Sequence, residues 1–194
     1  MSCKGISKAC EVFKTPVTGG NVSLYNDTLL SNNTFIPIHP TPVIGMVGLI
    51  ENLEKICTQN WKNKGDKIYL FSSKFDEQNV TLSGSAYLEY IHNLISGRPP
   101  EINFSLEKIF QEALQEGLRN QLFKSTHDLS EGGLAISLVE STISSQFGAN
   151  INLESSFQRI DNLLFGEGGP RVLISIKEDN INEIEKLIFK FNNN

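Results

Sequence analysis

Three short stretches hold residue types able to bind a ligand or do chemistry. The first is Thr18-Gly19-Gly20-Asn21-Val22-Ser23. Adjacent glycines let a backbone approach a ligand closely and turn its N–H groups toward an anion. Asn21 adds a carbonyl oxygen suited to a hard cation, and Ser23 adds a hydroxyl donor. An ordinary turn between helix and strand would use the same residues. The second stretch is Thr126-His127-Asp128-Leu129-Ser130-Glu131-Gly132-Gly133-Leu134. Polar residues run into a glycine pair ahead of a helical pattern, a layout that can set a helix N-terminus before a phosphate. The spacing of a Walker-type phosphate loop is absent. The Asp128 and Glu131 carboxylates would repel a phosphate unless Mg²⁺ or a positive group intervened. The simpler reading is a capped helix, with Asp128 or Ser130 satisfying its first N–H groups and His127 serving as a structural hydrogen-bonder. The third stretch, Phe165-Gly166-Glu167-Gly168-Gly169-Pro170-Arg171, reads as a loop with Glu167 and Arg171 paired or solvated. No Ser/His/Asp order, nucleophilic cysteine setting or pair of acid–base carboxylates stands out, so no catalytic residue is assigned.

These stretches need elements to position them. Ile6, Cys10 and Phe13 are spaced as on the end of an amphipathic helix over 3–13, which starts so near Met1 that the chain is expected to begin inside a larger element. Val22–Tyr25 reads as a strand, and Asn26–Pro42, rich in Asn and Pro, as a loop. Val43–Ile50 is continuously apolar and reads as a buried central strand. Lys67–Phe71 reads as a second strand, and 72–83 as a mobile polar loop. Helical spacing covers 87–95 and 106–118, the latter with Ser105 as N-cap and Gly117 near its end. Leu134–Ile143 is a helix entered through the glycine pair. Arg171–Ile176 is a late strand, and Ile181–Phe191 a final helix fading into an Asn tail. Strands alternating with helices predict an α/β (α+β layered) class.

The chain has 194 residues, 39% hydrophobic and 20% charged, enough for a real core. Its 17 Lys and Arg against 22 Asp and Glu give a net charge of −5, which argues against a surface that coats nucleic acid. No run approaches the roughly 20 apolar residues of a membrane span, and the N-terminus lacks the apolar region of a signal peptide. Cys3, Cys10 and Cys57 have no C-x-x-C spacing, and His39, His92 and His127 are scattered. Neither a disulfide framework nor a structural metal site is therefore expected. A soluble cytoplasmic protein is the expectation.

Five segments together resemble the large subunit of the phosphoribosylformylglycinamidine synthase family. They are Thr15–Asn26 with its Gly-Gly-Asn-Val-Ser-Leu-Tyr-Asn string, Pro40–Ile50, Ser96–Pro100, 126–135 and Leu164–Gly169. Their order and spacing agree over nearly the whole chain. The wider aminoimidazole-ribonucleotide-synthetase-like superfamily builds each half of such a subunit from an A-type, ATP-binding domain and a B-type domain. The resemblance implies a remnant of the preceding A-type domain over 1–26. It implies a B-type C-terminal domain over 27–194, a mixed sheet with flanking helices. It also implies ATP-dependent conversion of formylglycinamide ribonucleotide to formylglycinamidine ribonucleotide, in de novo purine biosynthesis, with ammonia from a glutaminase subunit. By position it places Gly20 near ATP, Asn21 on Mg²⁺ and Ser23 on substrate. His127, Asp128, Ser130, Gly132 and Gly133 form a candidate ligand-facing loop.

Only the C-terminal portion of the family's subunit is matched, so the isolated chain is expected to be inactive without the N-terminal portion. The other reading is a non-catalytic assembly module, one that pairs with itself as a dimer or with a separately encoded N-terminal portion through the 3–13 helix and the 43–50 segment. Three departures stand out. Leu82-Ser83-Gly84-Ser85-Ala86-Tyr87-Leu88 replaces the family's Leu-Gly-Gly-Ser-Glu-Tyr-Leu, and Pro170 stands where Ser is common. The loop around Leu29–Asn33 is lengthened.

Overall fold

The computed structural model describes residues 2–23, 25–39, 41–73, 79–153 and 159–192. Leu24 and Pro40 in the family motifs, 74–78 in the polar loop and the last two asparagines lie outside them. The described chain forms two compact units, Met1–Ile50 and Glu51–Asn194. The expected domain boundary at 26/27 falls inside the first unit.

The first unit begins with helix α1 (Ser2–Phe13), which has no fully buried residue and ends where Lys14 turns left-handed at φ 54. The stretch read as a loop instead contains a hairpin: β1 (Asp27–Leu29) pairs antiparallel with β2 (Phe35–Pro37). Its turn closes because the Leu30 N–H donates to the Thr34 carbonyl at 2.9 Å while Asn33, at φ 60, takes the left-handed conformation that Asn tolerates. Val43–Ile50, expected as a buried strand, is neither. It joins no ladder, and its apolar side chains are exposed, with Val43 at 94% and Val47 at 102%. An apolar run becomes a strand only when a neighbour takes its N–H and C=O groups, and no described segment does so. The described residues of 22–25 are likewise outside any strand.

The second unit is built on a three-stranded sheet of β3 (Lys67–Ser72), β4 (Ser125–Asp128) and β5 (Arg171–Ile176), in the order β3-β5-β4. A mixed sheet was expected; both described pairings are antiparallel, Leu70 facing Leu173 and Thr126 facing Ile174. The central strand is buried along its whole length, and its alternation supplies two cores. Val172, Ile174 and Ile176 point to one face. There they meet Phe110 of helix α3 (Phe104–Arg119), Phe123, and Ile184 and Leu187 of helix α6 (Ile181–Asn192). Leu173 points to the other face, against Trp61, Leu129, Leu134 of helix α4 (Gly133–Ile143) and Leu163 of helix α5 (Ile160–Phe165). Helices thus flank the sheet on both sides, the expected class.

Helix α2 (Ala86–His92) stops short of the expected Ile95 because Asn93 adopts a left-handed C-cap. Helix α3 is capped by Asn103 rather than Ser105: the Asn103 amide oxygen accepts from the N–H groups of Ser105 and Leu106, both at 3.1 Å. The described end of the polar loop is pinned. Val80 is buried, and Thr81 exchanges backbone hydrogen bonds with Glu167 at 3.1 and 2.8 Å. Among the described residues, no helix is long and apolar enough to cross a membrane.

Candidate functional site

Gly20, Asn21 and Ser23 lie in the first unit on an exposed stretch outside any helix or strand. A Cβ added at Gly19 or Gly20 would meet nothing within 4 Å. The stretch offers one side-chain amide and one hydroxyl to solvent. A divalent cation needs several oxygens in a fixed shell. Among the described residues, no group of three or more His, Cys, Asp or Glu could hold one. Asn21 supplies a single exposed oxygen. The described residues of this stretch therefore do not by themselves build an ATP–Mg²⁺ site.

The other segments converge in the second unit, and Glu167 is the residue that joins them. Its Oε1 accepts the N–H of Ala86, at the start of α2, and the N–H of Gly132, at the start of α4, each at 2.9 Å. A carboxylate placed at two helix N-termini is favourable with both macrodipoles. The same neighbourhood holds Tyr87 stacked on Phe165 at 4.8 Å between ring centroids. The Gly84 N–H donates to the Ser96 carbonyl at 2.8 Å, and Pro100 lies where a Cβ on Gly168 would sit. The turn at 82–88, the Ser96–Pro100 segment, the 126–133 loop and the 164–169 loop are thus one connected cluster.

Gly132 and Gly133 are required by this geometry. Both have left-handed φ, 77 and 62, which L side chains adopt only with strain. A Cβ on Gly133 would lie 2.6 Å from the Gly166 carbonyl oxygen, so α4 can meet the 164–166 backbone only through a glycine. The capping reading is corrected in its partner. No side chain of the 126–133 loop caps α4, and the Gly133 N–H donates to the Ser130 backbone carbonyl at 3.2 Å. Because Gly132 folds back in the left-handed conformation, the carboxylate that reaches the helix comes from Glu167. Both glycine N–H groups expected to face a phosphate thus have protein acceptors.

His127 is held between carboxylates. Its Nε2 lies 2.8 Å from Glu140 on α4, and its Nδ1 3.5 Å from Asp128. Ser130 and Asp128 are exposed. The Arg171 side chain, 4% exposed, donates to the carbonyls of Gly168 at 3.0 Å and Gly166 at 2.6 Å, which fixes the bend after Glu167. Of these residues, Glu167 reads from sequence as paired with Arg171 or solvated, and its role as acceptor for Ala86 and Gly132 is missed. Its signal was a carboxylate set among glycines, free to fold over on neighbouring loops. A cavity of about 1050 Å³ opens on the α4 side of the sheet among Trp61, Ile68, Leu138 and Phe147, and none of the expected site residues lines it.

Comparison with known proteins matches this architecture. Residues 63–192, all within the second unit, fit the model of the family described as AIR synthase related protein, C-terminal domain. The phosphoribosylformylglycinamidine synthase subunit PurL of Prochlorococcus marinus strain NATL1A is 52% identical over 191 residues, which is 96% of this chain and 24% of that protein. The Synechocystis protein of the same name is 49% identical over 176 residues, 91% of this chain and 22% of its own length. The chain therefore spans about a quarter of the length of the curated relatives it matches. Among solved structures, Thermotoga maritima PurL complexed with FGAR superposes with a TM-score of 0.56 at 15% identity, covering 72% of this chain and 24% of that one. The same protein complexed with ATP gives 0.51 at 15% identity, covering 72% and 22%. A two-core layered unit that coincides with the family's match leads to one conclusion: the chain belongs to the AIR synthase related protein, C-terminal domain family.

Proposed function

We propose that this chain acts as the C-terminal part of a phosphoribosylformylglycinamidine synthase, an ATP-dependent ligase that forms formylglycinamidine ribonucleotide from formylglycinamide ribonucleotide and ammonia. The observation that carries the reading is 52% identity to a PurL subunit along 96% of the chain. PurL structures complexed with ATP and with FGAR supply the ligand classes and, like Thermotoga maritima PurLQS, share the fold; the family resemblance adds a glutaminase subunit as the source of ammonia. In this reading 51–194 is the B-type domain, and 1–50 is an edge of the preceding A-type domain, which extends the expected remnant beyond residue 26.

Gly20, Asn21 and Ser23 then form one side of a composite site: close backbone approach to ATP, an oxygen for Mg²⁺ and a hydroxyl for substrate. The other side comes from polypeptide of the kind that makes up the remaining three quarters of the relatives' length. The 126–133 loop is a ligand-facing loop of the second unit, with the side chains of Asp128 and Ser130 exposed and the Gly132 N–H held by Glu167. Positioning and charge stabilisation supply most of the rate in such transfers, and both need a two-sided pocket. The isolated chain is therefore inactive. The test mixes purified chain with the N-terminal three quarters of a PurL relative and assays with formylglycinamide ribonucleotide, ATP, Mg²⁺ and ammonia. Amidine formation should require both pieces. Turnover by the chain alone, or none by the folded pair, would refute the reading.

A further inference from the structure

Helix α4 packs Leu134 and Leu138 into the second core and still exposes a row of apolar side chains on its outer face. Its serines are turned inward: Ser137 is 2% exposed and Ser141 0%. Its three β-branched aliphatic residues are turned outward, with Ile136, Val139 and Ile143 at 39%, 52% and 76% exposure. These three recur at helical spacing and lie on one face. The inward hydroxyls serve close packing. Ser137 donates to the Asp128 and Gly133 carbonyls, Thr142 donates to the Leu138 carbonyl and accepts from the Trp61 indole. The Ser141 hydroxyl has no partner among the described residues. The helix's single charge, Glu140, is spent on His127. The outer face thus presents an apolar stripe with its one carboxylate already engaged. Helix α3 in the same unit shows the ordinary pattern, none of its large apolar side chains being exposed.

We infer that the Ile136–Val139–Ile143 stripe is a docking face for an apolar, uncharged surface of the polypeptide that makes up the other three quarters of the relatives' length. Two observations select that occupant. The relatives carry about three quarters of their length beyond what this chain matches, so a large body of polypeptide accompanies this unit. The stripe is also small. A helix of 11 residues is about 16 Å long and offers an area on the order of 160 Å², far below the roughly 800 Å² per partner of a stable interface. It suits one part of a broad domain interface and not a self-contained dimer contact. The inference rests on the ligase reading for the identity of the partner.

The test measures binding of the full 194-residue chain to the N-terminal three quarters of the Synechocystis relative by calorimetry. The double variant Val139→Lys with Ile143→Lys should bind at least about tenfold more weakly with an unchanged thermal transition. Asn182→Lys on α6 should bind as the parent does. If the double variant melts early, Ile143→Ser alone should still weaken binding about threefold. Parental affinity in the lysine variant would overturn the docking face and leave the ligase reading standing. No binding by the parent chain would overturn both. A dimer of the chain in sedimentation that the lysine variant dissolves would give the stripe to a second copy and overturn the inference.

Discussion

Two glycine pairs, Gly19-Gly20 and Gly132-Gly133, look alike in sequence and sit in opposite environments. Around the first, added side-chain atoms would meet nothing within 4 Å. Around the second, backbone carbonyls, a carboxylate and a left-handed cap fill the space. The difference separates a segment with open space around its glycines from a loop whose partners are already in place. It also separates two kinds of experiment: the second pair is probed by stability, the first only through a complete site.

The largest effect should come from crowding the closed pair. Gly133→Ala forces a Cβ toward the Gly166 carbonyl at a left-handed φ, and should lower unfolding free energy by about 2–4 kcal/mol in urea titrations. Removing the tie that holds the loop should come next. Glu167→Ala leaves the N–H groups of Ala86 and Gly132 without their acceptor and should cost about 2–3 kcal/mol. Glu167→Gln keeps an amide oxygen there and should cost about half as much. Equal losses for Ala and Gln would break the claim that the acceptor matters.

A smaller effect is expected at Cys57. Burial pushes its thiol above the usual range, opposed by a hydrogen bond from Thr126 and by Lys62 and Lys124. A folded-state value above the unfolded one means stability present below the unfolded value and lost as pH rises through the folded one. The parent should therefore lose stability above about pH 9 more steeply than Cys57→Ser. The smallest effect belongs to the open pair. Gly20→Ala should change stability by less than about 0.5 kcal/mol, yet reduce amidine formation in the reconstituted enzyme. A large loss of stability would show that the 18–23 stretch is packed after all.

How much of this was readable in advance depended on how local the signal was. Arg171–Ile176, Lys67–Ser72 and the helices around 104–119 and 133–143 carry their own periodicity, so their types were legible. Strand β4 was not, because Ser-Thr-His-Asp has no apolar alternation. It is held by Ser125 against Ser175, 2.6 Å between hydroxyls, and by His127 against Glu140. Val43–Ile50 misled in the opposite direction, its composition announcing a strand where the segment pairs with no described neighbour. Glu167 was hidden because its partners lie 81 and 35 residues away. The glycine-rich motifs could be located in sequence, but the carboxylate that binds them together belongs to the tertiary structure.

Amide hydrogen exchange on the isolated chain tests the central contrast most directly. Amides of Arg171–Ile176, central in the sheet and buried throughout, should be protected to the level of global unfolding. Those of 43–50, which join no ladder, should exchange at nearly unstructured rates, and become protected when the N-terminal three quarters of a relative is added. Protection of 43–50 equal to that of the central strand in the isolated chain would contradict the account.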